Sequence, residues 1–354
     1  MSERKRVVVV GGGLAGAASS KLLEDYADVT LLDPKDHTEV PYARLRCIVD
    51  PHFAERSLIP HSDYLKRAKH VLAYAKSAST SEVVTSTGDV LPYDFLVVVT
   101  GSTYKGPSTK RERILEFQSE NKKLRKAKKI LIIGGGPVGV ELTGEIVVDF
   151  PEKEVILVHG GDRLIEFLGP KASHKAFSWL RQHRVDIRLN ELVNIHKVSG
   201  AHHLYTTSSG VSIQADCHFP CVGKRIGSSW MQSTFLRERQ DTNGRLKVDD
   251  FLKVEGCSNI FAAGDVTAIK EIKQGFLAVK HAHVVAENVK RIIANPSKRL
   301  LTYKPLAKPM AFVSLGRHIA LAQVPFGTFL GQIPGLLKSK DLFVGKTRRG
   351  LGLK

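Results

Sequence analysis

The chain has 354 residues, with 53 lysines and arginines against 35 acidic residues and a formal charge of +18. At 42% hydrophobic and 25% charged residues it reads as a soluble globular protein long enough for two or three domains, which excludes extended disorder. No apolar run reaches the roughly 18 residues of a membrane span, and the positive balance favours anionic partners such as phosphorylated cofactors, acidic lipid or nucleic acid.

The first predicted strand, Val7–Val10, runs into Gly11-Gly12-Gly13-Leu14-Ala15-Gly16 and a small-residue helix through Leu23. Each glycine has its own task. Gly11 turns the chain sharply out of the strand, and Gly13 lets backbone approach a pyrophosphate. Gly16 lets helix and strand pack closely, so that the helix N-terminus offers free N–H groups to phosphate. Strand Val29–Leu32 completes a βαβ unit and ends at Asp33, where a carboxylate either accepts hydrogen bonds from a ribose or caps the loop. Cys47 follows within Arg44-Leu45-Arg46-Cys47-Ile48-Val49, which reads as the start of an apolar helix and makes the thiol either a packed one or a redox nucleophile. A strand Phe95–Val99 then meets Thr100-Gly101-Ser102.

Residues 105–129 hold a basic cluster from Lys105 to Lys129 with Glu112, Glu116 and Glu120 interspersed. Two readings stand there, a solvated helix or a non-specific, salt-sensitive contact with nucleic acid, for which the segment offers a single aromatic, Phe117. The second βαβ unit repeats the first about 120 residues later, with Ile130 to Ile133 leading into Gly134-Gly135-Gly136-Pro137-Val138-Gly139. Pro137 suits the first helical position, where no N–H is needed. One such loop is a weak sign, but two in the right strand–helix setting point to two dinucleotides held at once. Strand Val155–Val158 ends at His159, not at an acid, and Arg163 lies close by. The residue that would repel a 2′-phosphate is therefore missing, and NADPH is expected to serve beside NADH.

Further on, Asn259 to Asp265 reads as a strand ending in Gly264-Asp265. An apolar helix from about Gln274 to Ile293 follows, with short strand-like runs at Ala311–Leu315 and Ile319–Val324 after it. The end is basic (Lys338, Lys340, Lys346, Arg348, Arg349, Lys354) and follows an apolar stretch from Phe326 to Leu337, a pairing suited to an anionic membrane surface. Cys47, Cys217, Cys221 and Cys257 form no metal or disulfide pattern, and His202-His203 and His281-x-His283 are too isolated for a metal site. The N-terminal residues run straight into the first strand, so no signal peptide is expected, and Ser2 stands where myristoylation needs glycine. A reducing, cytoplasmic setting with peripheral membrane contact fits these features.

Two glycine loops, Thr100-Gly101-Ser102 between them and a late Gly264-Asp265 resemble the two-dinucleotide-binding-domain flavoproteins. Leu45-Arg46, Pro151 to Val155 followed by His159, Tyr303-Lys304-Pro305 and the Lys338 to Val344 stretch resemble the apoptosis-inducing factor homologue and ferroptosis suppressor family within them. The resemblance covers nearly the whole chain. It implies an α/β fold of two Rossmann-like domains, the NAD(P)H domain (109–244) inserted in an FAD domain (1–108 and 245–305), with a small C-terminal α+β segment (306–354). It also implies non-covalent FAD, NADH or NADPH as co-substrate, and a quinone as acceptor. By the same likeness, Gly11 to Gly16 cradle the FAD pyrophosphate and Asp33 holds its ribose. Arg46, Thr100 and Gly101 lie against FAD, and Asp265 takes the ribityl end. The helix from Gln274-Gly275-Phe276 reaches the flavin, its dipole favouring negative charge there. Gly134 to Gly139 with His159 hold the nicotinamide dinucleotide. Glu141 and Lys304 stand near the reaction, although a solvated helix acid and a plain surface charge are the competing readings. Phe312, Phe326 and Phe329 are candidate walls for a quinone pocket.

Overall fold

The computed structural model describes residues 4–103, 106–193, 203–223 and 225–354; Ser2, Lys105 and His202 lie outside them. In chain order β1 (Arg6–Val10), α1 (Leu14–Leu23) and β2 (Asp28–Leu32) come first, then α2 (Arg44–Val49), β3 (Lys69–Val71) and β4 (Phe95–Val98). After α3 (Lys110–Lys126) come β5 (Lys129–Ile133), α4 (Pro137–Asp149), β6 (Glu154–Val158), α5 (Pro170–Gln182), β7 (Asp186–Arg188) and β8 (Cys217–Pro220). Next are β9 (Ile260–Ala262) and α6 (Gly275–Ala294), followed by β10 (Ala311–Leu315), β11 (Ile319–Val324), β12 (Gly327–Gly331), α7 (Gln332–Leu337) and α8 (Val344–Gly350).

Two parallel sheets organise these elements. One has the order β9-β4-β1-β2-β3 and the other β7-β6-β5-β8, the doubly wound pattern in which the first strand stands at the point where the order reverses. Strands such as Val7–Val10 and Ile130–Ile133 are β-branched or leucine throughout because helices and loops cover both faces of each sheet. The second sheet is drawn wholly from residues 129–220, between β4 and β9 of the first, so the fold is the inserted one that the sequence implies.

The C-terminal strands β10, β11 and β12 form an antiparallel sheet against α4 and α5. The first two match the predicted runs; β12 and the two short helices after it carry no clear period and escaped the sequence reading. The basic helix α3 is also more than a solvated rod. A capping box of Thr109 and Glu112 starts it, Arg113 is buried against Glu39 at 2.9 Å, and the Asn121 amide donates to Ile48 and Val49 carbonyls.

Helix α4 positions everything else. Glu141, Glu145 and Asp149 recur every fourth residue and so share one face. Glu141 accepts from the Lys338 ammonium, and Glu145 takes the Arg46 guanidinium in a bidentate pair with both contacts at 2.7 Å. Asp149 pairs with Arg317. The two inner pairs are almost entirely out of water. Each cation comes from a different part of the chain: α2 of the first unit, the turn between β10 and β11, and the residue after α7. The stripe therefore clamps both other units to α4.

Removing one partner of a buried pair strands the other charge, at a cost of about 3–5 kcal/mol. Arg46→Met is accordingly expected to lower the denaturation midpoint sharply. The double variant Arg46→Met/Glu145→Leu should recover most of that loss in the same thermal or urea melt, since no bare charge remains.

Candidate active site between two glycine loops

The two loops are near copies in geometry. Gly11 and Gly134 have φ of +110° and +113°, where a side chain is strained, and a Cβ would fall 2.6 Å from the Val99 carbonyl oxygen or 2.7 Å from that of Cys221. At Gly16 and Gly139 a Cβ would lie 1.7 Å and 1.8 Å from the carbonyl oxygens of Gly11 and Gly134. The fold itself forbids side chains there. At Gly13 and Gly136 nothing lies within 4 Å of the missing Cβ, so the protein alone does not require glycine at either position. That leaves open space in front of two helix N-termini. Neither α1 nor α4 has a side-chain cap or an acid in its first turn, and α6, whose N-cap is Gln274, shares both traits. Three uncapped helix ends thus offer amide N–H groups to anionic groups.

Buried polar atoms mark the same region. The Thr100 hydroxyl, just past the end of β4, is buried without a hydrogen-bond partner, and the Tyr42 hydroxyl lies buried against Gly275 and Phe276 at the start of α6. A ligand with phosphates at the loops and polar ring atoms at the α6 end fits this combination.

Asp33 is buried at the end of β2, accepting the Gly12 amide N–H and, at 2.9 Å, that of Lys35. Burial works to raise its carboxyl, but His61, Lys35 and the Gly12 amide outweigh it and hold the group below the usual carboxylate range. A permanently charged acceptor therefore stands beside the first loop, braced by the loop itself. His159 occupies the matching place in the second unit, under Gly135, with its Nε2 3.4 Å from Glu166. Pro137 and Val138 are exposed at the mouth of that loop, whereas Leu14 and Ala15 are buried against α6 and Gly264.

Gly264, at φ +77°, and Asp265 form a 3₁₀ turn after β9. Burial pushes the Asp265 carboxyl up, opposed by Lys273 and Arg245. Gly101 is joined to Gly227 by a backbone bond at 2.9 Å, and Phe276 lies in the first turn of α6.

Glu141 is not the solvated helix acid of the competing reading. It is buried, accepts the Ser314 amide at 3.0 Å and pairs with Lys338, whose ammonium also donates to the Phe312 carbonyl at 2.6 Å. Lys338, read from sequence as part of a basic end suited to an anionic membrane surface, is thus an interior residue of the junction. Arg46 gives four of its five N–H donors to Glu145 and to the carbonyls of Ser339 and Gly316, so at most one Nη1–H remains for a flavin. Lys304 is exposed, and in Tyr303-Lys304-Pro305 it is the tyrosine that is buried. Phe326 and Phe329 face solvent and wall no pocket. Glu145, Asp149, Arg317 and Lys338 escaped the sequence reading; the four-residue acid repeat of α4 was the available signal.

Residues 5–286 match the family model of the pyridine nucleotide-disulphide oxidoreductases. The chain belongs to this family. Its relatives include ferroptosis suppressor protein 1 of Taeniopygia guttata, 33% identical over 98% of this chain and 96% of that protein. The Homo sapiens protein of that name is 31% identical over 96% and 93%. Apoptosis-inducing factor homolog A of Dictyostelium discoideum is 29% identical over 97% and 91%. The same fold is found in the sulfide:quinone oxidoreductase of Aquifex aeolicus, with a TM-score of 0.75 at 18% identity over 98% of this chain and 92% of that one. NDH2 of Plasmodium falciparum, solved in complex with NADH, gives 0.70 at 14% identity over 97% and 96%. Within the family, the chain belongs with the ferroptosis suppressor and apoptosis-inducing factor homologues, and it is an FAD-dependent oxidoreductase that uses NAD(P)H.

The glycines separate folding from binding. Gly13→Ala is expected to leave the melting temperature of the flavin-free protein unchanged and to weaken FAD uptake by about tenfold or more, near 1.4 kcal/mol. Gly16→Ala is expected to lower the melting temperature itself. Flavin content and thermal melts of the two variants check the contrast.

Proposed function

We propose that this protein passes reducing equivalents from NADH or NADPH through FAD to a quinone, working at an anionic membrane surface. Bound together, the two cofactors supply the hydride transfer and the two-electron exit. The chain's own residues supply position and charge. Residues 1–108 with 245–305 form the FAD part, in which Gly11 to Gly16 and Asp33 take the adenosine diphosphate half and Asp265 the ribityl half. Residues 109–244 hold the nicotinamide dinucleotide through Gly134 to Gly139 and His159. Glu141, neutralised by Lys338, closes the junction beside the α6 N-terminus and keeps a bare carboxylate away from it. Arg46 and Lys304 have no part in this reading.

One observation carries the choice of acceptor. The family name includes disulphides, yet no thiol here is poised for exchange. Cys47 is wholly buried, its Sγ 3.3 Å from the Ser57 hydroxyl, and burial pushes the thiol up to about 12, so it stays protonated and unreactive at neutral pH. Electrons must leave to a separate two-electron acceptor. A quinone fits, and a protein of the same fold bears that acceptor in its name.

Support for the membrane comes from the C-terminal residues 306–354. Among the described residues no helix is long and apolar enough to cross a bilayer. Instead Phe326 and Ile333 are 83% and 78% exposed, joined by Phe329, Leu336 and Leu337, with Lys340 exposed just after them and Lys346 and Arg349 exposed further along the chain. Apolar side chains fringed by cations suit the boundary of an acidic lipid layer.

The purified protein is expected to be yellow, to bleach under anaerobic NADH and to regain its colour with a soluble quinone. Cys47→Ser should do the same. A colourless protein that takes up no flavin would end the proposal, and a quinone-dead Cys47→Ser would return the thiol to the mechanism. In co-sedimentation, vesicles containing acidic lipid should carry the protein down and neutral vesicles much less. Phe326→Ser/Ile333→Ser should abolish the binding while leaving soluble-quinone reduction intact.

A further inference from the structure

A buried polar network lies behind the Gly264–Asp265 turn, and none of its side chains has a role so far. His281, on α6, accepts the Gly264 amide N–H at Nδ1, 3.1 Å away, and its Nε2 stands 2.8 Å from Glu271. The Glu271 carboxylate also accepts the Tyr303 hydroxyl at 2.8 Å, and the Tyr303 ring meets that of His281 edge-on at 4.3 Å. The side chains of His281 and Glu271 are 1% and 2% exposed.

The donors fix the tautomer. A backbone N–H can only donate, so Nδ1 must carry a lone pair. The ring proton then sits on Nε2 and is donated to Glu271, while Tyr303 fixes the far side of that carboxylate. A doubly protonated ring has no acceptor to offer Gly264. Glycine enters the left-handed region freely, so the φ of Gly264 needs no outside support; what the His281 bond supplies is the partner of its buried amide N–H, which would otherwise stand unpaired.

We propose that His281, Glu271 and Tyr303 are positioning residues that hold the Gly264–Asp265 turn in its FAD-binding shape, and that protonating His281 loosens the cofactor. This rests on the reading that Asp265 takes the ribityl half of FAD. The groups facing His281 are Glu271 and Lys273 from the loop before the helix, Tyr303 from the segment after it, and Asp265 in the turn. Burial pulls the imidazole below the ordinary histidine value of 6.5, Glu271 opposes that and Lys273 adds to it. The sign follows. Above 6.5 the ring is neutral whether the turn is closed or open, and the clamp is complete. As pH falls below that value the open form gains a proton the closed form resists, so FAD binding weakens.

The test uses the purified holoprotein, with FAD dissociation followed by flavin fluorescence from about pH 5 to pH 8, the range a histidine titrates across. Wild type should release FAD more readily toward the acid end. His281→Leu should raise the dissociation constant about tenfold at neutral pH, as a stranded amide would. His281→Gln keeps both an acceptor and a donor but cannot titrate, so it should bind nearly as wild type with no acid weakening. Tyr303→Phe should show a smaller loss, and it decides the matter if His281→Leu does not fold. His281→Leu or Tyr303→Phe binding FAD as wild type does, or an acid weakening unchanged in His281→Gln, overturns the inference alone. A wild-type chain that never takes up FAD overturns the cofactor reading beneath it.

Discussion

Three acid–base pairs along one helix face hold this molecule in its working shape. Helix 137–149 begins at the second glycine loop and carries Glu141, Glu145 and Asp149 at successive turns, facing Lys338, Arg46 and Arg317. Moving such charges out of water costs several kcal/mol per ion, and their attraction offsets this only with close geometry and further hydrogen bonds. Both conditions hold. Arg46 meets Glu145 as a fork and gives two further donors to two carbonyls, while Lys338 adds the Phe312 carbonyl to Glu141. Apolar side chains alone would fit at several registers; a fork-shaped guanidinium and a buried ammonium fit at one. The nucleotide helix is thus fixed against both the first Rossmann unit and the C-terminal sheet.

That registration matters because the chemistry needs two ligands to meet at a set distance. Each glycine loop is rigid in itself, since the fold excludes a side chain at Gly11 and Gly16 and at Gly134 and Gly139. The space between loops depends only on how the two units are joined. An angstrom of slip at the joint would separate reacting atoms while leaving both binding sites intact. Polar pairs at the seam, set within an apolar core that runs from α2 across α4 to the C-terminal sheet, confine that freedom.

Much of this was legible in the sequence because it is local. Apolar strands, glycines in fixed places and the helix at Gly275 are written in consecutive residues, so both Rossmann units could be read directly, whereas the inserted order came from the family resemblance. The seam could not. Arg46 and Glu145 are 99 positions apart and Lys338 and Glu141 are 197 apart, and no local pattern links a cation to a carboxylate over such spans. The misreadings share this cause. Lys338 looks like part of a membrane-facing basic end, and the structural part of Arg46 stays hidden, until their distant partners are known. In Tyr303-Lys304-Pro305 the charged residue draws attention, yet the burial of the tyrosine depends on Glu271 and His281, which precede it in the chain.

The same constraint explains the fate of the thiols. A cysteine that exchanges with flavin needs an open, electropositive place at the junction. The segment around Cys47 is committed to the seam instead: Arg46 next to it must point at Glu145, α2 packs on α4, and Cys47 turns inward to Ser57. A clamp and a redox centre cannot share this single turn of helix. Having used it for the clamp, the protein delivers its electrons to an acceptor that comes and goes, and on the membrane reading proposed above the exposed apolar surface at Phe326 and Ile333 meets the lipid layer in which such acceptors dissolve.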